Sequence, residues 1–440
     1  MILLGLAALL VIAVGLSFIP RIHQAIAWRW DSLTTTIYYK IHPPQNVVFV
    51  PSQQALLTQP ANQPTVTPSL TPTTPPTQAV TSVPTLTATP APASVVLDNI
   101  TFINQNDRWN YCGPANLAMA LTYLGWTGTK YDIGEVIKPG INDPSMEPND
   151  RTNTDVNVMP YEMVDYVNDH TPYKALWRVG GDADLLKRLI AAGFPVITEK
   201  AVHEVLAPEW TLQWAGHFAF TTGYDDNAQQ FVWQDSLITD QAPIGKNKRT
   251  SYTEYMQTWR AFDYVFIVVY NPAREAELYQ ILGNWVDETW AAQNALSIVQ
   301  ADLPTLTGVD QLFAVFDEGT SYGYLGDYAS ASQDYDQFFS LYEAAPKDGR
   351  PYRIFYWYQT GALRAYYYTS RYQDVIALAD KHLSSIKPPR TLEESLYYRA
   401  LAEAALGMYD SAYADIRQAA YYNPNFKLAF DKMAEWGISP

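Results

Sequence analysis

Cys112 is the only cysteine in the 440-residue chain, and its neighbours could make it a nucleophile. Gly113 and Pro114 follow it, and Leu117 and Leu121 then recur at the spacing of a helix. Because proline is favoured in the first turn of a helix, this pattern places the thiol at a helix N-terminus. The positive end of the helix dipole there lowers the pKa of a thiol and favours the thiolate. A small buried apolar residue is the alternative interpretation of a lone cysteine.

A thiolate nucleophile needs a basic partner, and His217 is the best placed of the six histidines. It follows Gly216 and stands at the head of an apolar segment that reads as a strand, where its ring could meet a cysteine at a helix start. His203 lies in an irregular segment and is the second candidate. The alternative for His217 is a purely structural role.

The histidine of such a pair needs an acceptor that orients its ring. Asp235 ends a short strand predicted over residues 231–235, after a turn at residues 225–227. We expect this strand to lie antiparallel to the His217 strand, which would bring Asp235 close to His217. A strand-terminal turn residue is the alternative for Asp235.

The order of these residues resembles the C39-like peptidases, which are papain-fold relatives of the processing domains of bacteriocin exporters. Three motifs carry the resemblance: Cys-Gly-Pro at residues 112–114, Gly-Phe-Pro-Val-Ile at residues 193–197, and Gly-His-Phe-Ala-Phe-Thr-Thr-Gly-Tyr at residues 216–224. The resemblance covers residues 101–270. The family often has Asp-Pro where this chain has Asp235 and Ser236.

The resemblance implies a role for each of four residues. Cys112 would be the nucleophile, His217 the general base, Asp235 the orienting residue and Gln105 the oxyanion-hole donor. The side-chain amide of the neighbouring Asn106 is a second candidate for that donor. The implied activity is hydrolysis of a peptide bond by a cysteine peptidase.

The elements predicted around these residues indicate an α+β domain of the papain-like kind over residues 97–271. Helices are predicted first and strands afterwards, which is typical of a mostly antiparallel sheet beside helices. The helices are expected at residues 113–124, 159–168 and 183–192, and the strands at residues 195–198, 217–223, 231–235 and 264–270.

Residues 272–440 read as an all-α domain. The segment 396–424 resembles a tetratricopeptide repeat, with small residues where two helices would cross and a proline after the second helix; its pattern residues are Ala400, Gly407, Tyr409, Ala412, Ala419 and Pro424. Weaker copies precede it. An irregular array of helical hairpins is the alternative and would bury its faces in the same way.

The N-terminal part indicates a membrane tether. Residues 1–20 are apolar and predict a transmembrane helix or signal anchor, residues 21–58 a juxtamembrane segment, and residues 59–96 a Pro/Thr-rich linker. Such stalks are typical of surface proteins, so we expect a membrane-anchored, extracytoplasmic catalytic domain. The alternatives are a cytoplasmic-facing anchor and secretion after signal cleavage.

The amino-acid composition limits the classes of molecule that the protein is expected to bind. The net charge of −16 argues against nucleic acid, whose phosphates need a basic surface. We expect no cofactor and no metal. The expected partners are a peptide or protein substrate, a protein bound by the helical repeats, and the membrane. Two other functions fit the same residues: a non-catalytic peptide- or protein-binding module, and an acyl transferase that uses the same triad.

Overall fold

The computed structural model describes residues 30, 33–35, 37–52, 92–106, 110–139, 157–206, 211–238, 244–388 and 392–439. The predicted membrane segment at residues 1–20 and most of the predicted linker lie outside the described residues. Within these ranges, no helix combines the length and the apolar character needed to cross a bilayer.

The three helices that were predicted around the candidate nucleophile are present, with ends within about two residues of those predicted. They are α1 (Cys112–Tyr123), α3 (Pro160–His170) and α4 (Ala183–Ala191). Two more helices, α2 (Lys130–Ile137) and α5 (Tyr252–Arg260), were not predicted. Several of these helices begin at a residue whose side chain accepts a hydrogen bond from a backbone amide of the first turn. Asp182 caps α4 in this way, and Ser251 caps α5.

Seven strands form one antiparallel sheet in the same part of the chain. They are β1 (Ser94–Val96), β2 (Lys174–Arg178), β3 (Val196–Leu206), β4 (Thr211–Asp225), β5 (Gln230–Gln234), β6 (Lys248–Ser251) and β7 (Phe266–Tyr270). The order is β2-β7-β3-β4-β5-β6, and β1 pairs with β4. Each recorded pairing is antiparallel, which confirms the predicted sheet type.

The strand that carries His217 is longer than the sequence indicates. The prediction placed His217 at the head of a strand, but β4 begins at Thr211 and His217 lies in its middle, opposite Lys200 on β3. The extra length comes from residues 211–216, which continue the ladder with β3 as a hairpin arm. In this arm Leu212 and Trp214 alternate with Thr211 and Gln213, which is a strand pattern that the sequence analysis did not recognise.

Helix α1 runs through the centre of this part of the molecule. Its residues from Gly113 to Leu121 are all buried, and it packs against β4 and β3. Because the helix is buried all round, its position is set by close packing on several sides rather than by one apolar stripe. A nucleophile at its first residue is therefore held on a rigid support.

The described residues after β7 are largely helical, as predicted for residues 272–440. The helices are α6 (Glu275–Leu282), α7 (Glu288–Asp302), α8 (Gly308–Tyr324), α9 (Tyr328–Ala344), α10 (Tyr352–Phe355), α11 (Gly361–Tyr368), α12 (Tyr372–Ser385), α13 (Glu393–Ala405), α14 (Tyr409–Tyr422) and α15 (Lys427–Trp436). Consecutive helices pack in pairs, such as α8 with α9 and α13 with α14. Gly326 and Gly407 end α8 and α13 with φ of 77° and 78°, a left-handed geometry that favours glycine. The resemblance to tetratricopeptide repeats stays a prediction.

The helical part packs on the sheet-containing part. Trp214 on β4 contacts Phe313 on α8 edge to face at 5.5 Å, and the Lys138 ammonium lies 2.5 Å from the Glu393 carboxylate on α13. The short helix α10 packs against β4 itself. This contact brings the residues after α10 to the end of α1 that carries Cys112.

Candidate active site

Cys112 is the first residue of α1, and its side chain is part-exposed at a cleft. The amides of Gly113 and Phe218 hydrogen-bond to it. A side chain at Gly113 would have its Cβ 3.0 Å from Val158, so this glycine lets the segment before α3 lie close to the thiol. The sulfur therefore lies at a helix start, among N–H donors that stabilise a thiolate.

The ring of His217 lies between Cys112 and Asp235. Its Nε2 is 2.9 Å from Oδ1 of Asp235, and its side chain is also hydrogen-bonded to Cys112. Because Nε2 faces the carboxylate, Nδ1 is the nitrogen that faces the thiol. Gly216, just before it, leaves room for the ring of Phe262, which would lie 2.8 Å from an added Cβ.

Asp235 follows β5 directly and is 1% exposed. Its Oδ1 accepts from the amide of Leu237 at 3.1 Å, and its Oδ2 accepts from the ammonium of Lys248 at 2.8 Å. Burial favours the neutral acid, but the charges and hydrogen bonds of His217 and Lys248 outweigh it and lower the pKa of Asp235 to about 2. The carboxylate is therefore ionised at neutral pH, as an orienting acceptor must be.

The pKa values of His217 and Cys112 shift in opposite directions. Burial disfavours the imidazolium, but Asp235 and then Cys112 outweigh it and raise the pKa of His217 to about 10. Burial likewise disfavours the thiolate, but the hydrogen bond and charge of His217 and the two backbone amides lower the pKa of Cys112. Both shifts favour a thiolate paired with an imidazolium at neutral pH.

Gln105 is buried and linked to the same group. Its backbone N–H donates to the carbonyl of Ser236 at 2.8 Å. Its Oε1 accepts from the hydroxyl of Ser236 at 2.8 Å, so Nε2 is the donor end of the side chain. The second candidate, Asn106, donates instead to the carbonyl of Ile238 at 2.5 Å. Of the two candidates for the oxyanion-hole donor, Gln105 is therefore the residue whose side-chain orientation is fixed by the hydroxyl of Ser236.

Ser236 explains the departure from the Asp-Pro pattern. Its hydroxyl is fully buried, donates to Gln105 and accepts from Nδ2 of Asn116 at 3.2 Å. That same Nδ2 lies 2.9 Å from the carbonyl oxygen of Cys112. A proline at residue 236 would remove the hydroxyl that connects Gln105 to the helix of Cys112.

Asn116 was missed in the sequence, although it lies one turn after Cys112. Its Oδ1 accepts from the amide of Phe220 at 2.8 Å, and its Nδ2 donates to the carbonyl of Phe218 at 2.8 Å. It therefore holds α1 in register with β4, and so Cys112 with His217. A polar residue inside an otherwise apolar helix was the available signal.

The cleft at Cys112 has a volume of about 60 Å³, and both parts of the chain form its walls. The sheet-containing part supplies Glu199 and Gly216, and the segment after α10 supplies Trp357 and Tyr358. The positions of Glu199, Trp357 and Tyr358 in this wall were not predicted, because these residues are distant from Cys112 in the sequence. Only the packing of α10 on β4 brings them together.

His203, the second candidate for the partner of Cys112, is exposed and stacks on Trp214 with the ring centroids 4.5 Å apart. The structure records its ring contact with Trp214 and none with Cys112. In the described parts of the chain, no group of three or more His, Cys, Asp or Glu residues could hold a metal ion.

Comparisons with known proteins find similarity over part of the chain. Residues 97–267 match the model of the Peptidase_C39 like family. A solved structure described as a C39-like peptidase from Bacillus anthracis has 20% sequence identity and a TM-score of 0.30, and covers 40% of this chain and 96% of its own. No curated protein matches. The similarity to the C39-like family therefore covers residues 97–267, which are less than half of the chain.

Proposed function

We propose that the protein is a cysteine peptidase in which Cys112, His217 and Asp235 act together. The observation that carries the proposal is the position of the His217 ring, which is hydrogen-bonded to Cys112 on one side and to the Asp235 carboxylate on the other. This is the arrangement that a thiol nucleophile, its acid–base partner and an orienting residue require. The match to the C39-like peptidases supports the same class of reaction.

In the proposed mechanism, the Cys112 thiolate attacks the carbonyl carbon of the scissile peptide bond. The oxyanion that forms accepts hydrogen bonds from Nε2 of Gln105 and from backbone N–H at the start of α1. The His217 imidazolium gives its proton to the leaving amine, and a thioester to Cys112 remains. Neutral His217 then takes a proton from water, the hydroxide attacks the thioester, and the thiol leaves as the thiolate.

We propose that the helical domain at residues 272–440 shapes the cleft of the C39-like domain at residues 97–271. The support is the position of Trp357 and Tyr358, which form a wall of the cleft beside Cys112. Substrate would contact both domains at once. Binding of a further protein by the outer helices rests on the repeat resemblance alone.

Membrane anchoring by residues 1–20, with the catalytic domain outside the cytoplasm, is also part of the proposal and rests on the sequence. Added protease should remove the catalytic domain from intact cells. Full protection of the domain on intact cells, with digestion after lysis, would contradict an extracytoplasmic position.

Incubation of the full chain with a mixture of defined peptides in ¹⁸O-labelled water tests the proposed activity. We expect cleavage products whose new carboxylate carries ¹⁸O, since water resolves the thioester, and no products from a Cys112→Ser protein. New amides without ¹⁸O, formed with an added amine, would favour the acyl transferase. If no peptide is cleaved although Cys112 is rapidly alkylated, the peptidase proposal fails for these substrates and the binding module is favoured.

A further inference from the structure

A second, larger cavity lies beside the cleft, between the C39-like and helical parts. Its volume is about 310 Å³, within the range of about 300–1,000 Å³ that is usual for small-ligand sites. Glu199 and Tyr358 line both the cleft and this cavity. A side chain of a substrate held at Cys112 would therefore meet the cavity at these two residues.

Four carboxyl groups line the cavity, and all are almost completely buried. Glu199 and Asp263 are 3% exposed, Asp317 is 2% exposed and Glu394 is 6% exposed. Among the described residues, Oδ2 of Asp317 and Oε2 of Glu394 have no hydrogen-bond partner. A buried carboxyl oxygen without a partner is costly, so these two atoms mark positions where a donor would be stabilised.

The cavity has little positive charge of its own. Of the described residues that line it, Arg364 is the one cationic side chain, and its guanidinium donates to the hydroxyl of Tyr328 at 2.8 Å. Burial raises the pKa of Glu199 and of Glu394 to about 8, and burial raises the pKa of Asp317 well above its usual range. A bound cation would favour the ionised form of each of these groups.

The remaining walls are largely aromatic. Trp177, Tyr328, Tyr335 and Tyr398 line the same space as the carboxyl groups. Aromatic faces attract ammonium and guanidinium groups, and they also pack against the methylene stem of a lysine or arginine side chain. The combination of aromatic walls with unpartnered carboxyl oxygens fits a long side chain that ends in a positive charge.

We infer that this cavity is a specificity subsite for a basic residue of the substrate, whose lysine or arginine side chain enters past Glu199 and Tyr358 and reaches Asp317 and Glu394. The inference rests on the proposed peptidase function for its biological use. The binding chemistry itself depends only on the cavity. Binding in the cavity can therefore be measured on a protein that lacks the nucleophile and cannot hydrolyse a substrate.

Calorimetry on the full chain carrying Cys112→Ser tests the binding. The probes are the N-acetyl methylamides of lysine and arginine, with that of norleucine as the uncharged counterpart. We expect the two basic probes to bind at least about tenfold more tightly than norleucine, because a hydrogen bond to a charged group contributes about 1.5–3 kcal/mol and each 1.4 kcal/mol is tenfold. Equal affinities for the three probes would overturn the inference.

Isosteric variants locate the site. Asp317→Asn and Glu394→Gln should each weaken binding of the lysine probe about tenfold. Glu403→Gln is the matched control, since Glu403 is 7% exposed, lies on the same helix as Glu394 and also has an unpartnered Oε2, but does not line the cavity. An equal loss in all three variants would overturn the assignment. If a variant fails to fold, the affinities of the basic and norleucine probes for the Cys112→Ser protein still test whether the cavity prefers a positive charge.

Hydrolysis by the wild-type chain separates this inference from the proposed function. In a peptide series with one lysine moved stepwise along the sequence, we expect one position to raise kcat/KM at least about tenfold over norleucine. Cleavage with no basic preference at any position would overturn the inference and leave the peptidase function intact. Selective binding of the basic probes without cleavage of any peptide would support the cavity and overturn the peptidase.

Discussion

Replacing His217 with alanine is expected to lower kcat/KM for peptide hydrolysis by about 10³-fold or more, since general acid–base catalysis contributes roughly 10²–10⁴-fold and the thiolate also loses its counter-charge. The ring is hydrogen-bonded to both Cys112 and Asp235. Without it, the leaving amine has no proton donor and Cys112 returns toward an ordinary thiol. Initial rates on a cleaved peptide, with added imidazole as a rescue test, give the measurement.

His203→Ala is the matched control for that variant. His203 is exposed on the neighbouring strand and stacks on Trp214. We expect its removal to leave kcat/KM within about twofold, because a surface substitution away from the site changes little. A His217→Ala protein that keeps a tenth of the wild-type rate would show that His217 is not the acid–base partner.

Asp235→Asn is expected to reduce kcat/KM by roughly 10²–10⁴-fold and to change the pH profile, since the loss of an orienting aspartate disturbs both the tautomer and the charge of its histidine. In the wild-type protein, activity should rise on the acid side as Cys112 ionises at its lowered pKa. It should fall on the alkaline side as His217 loses its proton at about pH 10. Asparagine at residue 235 removes the negative charge that raises the pKa of His217. The decrease in activity on the alkaline side of the pH profile (its alkaline limb) should therefore occur at lower pH.

Asp226→Asn is the matched control for the pH profile. Asp226 lies at the other end of the β4–β5 hairpin and also accepts from a lysine, with Nζ of Lys187 at 2.5 Å. We expect that variant to keep both limbs of the wild-type profile. An alkaline limb that stays in place in Asp235→Asn would mean that Asp235 does not set the charge of His217.

The local features of the sheet-containing part could be predicted from the sequence. Cys112 begins a helix because Gly113 and Pro114 set its first turn, and β5 ends at Gln234 with Asp235 directly after it. The antiparallel pairing of β4 with β5 brings Asp235 to His217, as expected. Such features depend on residues close together in the chain, where spacing and turn chemistry determine the structure.

The features that could not be predicted depend on contacts between distant residues. Lys248 reaches Asp235 from β6, and Tyr358 reaches the cleft from the helical part. Nothing in the local pattern around either residue marks these positions. The position of His217 in the middle of β4 was also missed, because the strand was predicted only from the apolar run at residues 217–223.

The role of Ser236 shows how a departure from a family pattern can carry information. The sequence shows only that a serine stands where proline is common. The structure places its hydroxyl between Gln105 and Asn116, in a chain of hydrogen bonds that ends at the carbonyl of Cys112. Gln105 depends on this hydroxyl for its orientation, and a Ser236→Ala protein would leave Oε1 of Gln105 buried without its donor.

The rate of iodoacetamide labelling as a function of pH, on the full chain, tests the central claim most directly, because Cys112 is the only cysteine. A thiolate held by His217 predicts rapid labelling that persists to about pH 5, whereas His217→Ala should label appreciably only near the free-thiol pKa of about 8.5. His203→Ala should follow the wild-type profile. A wild-type protein that labels only near pH 8.5, or only after unfolding, would contradict the thiolate–imidazolium pair and with it the proposed peptidase.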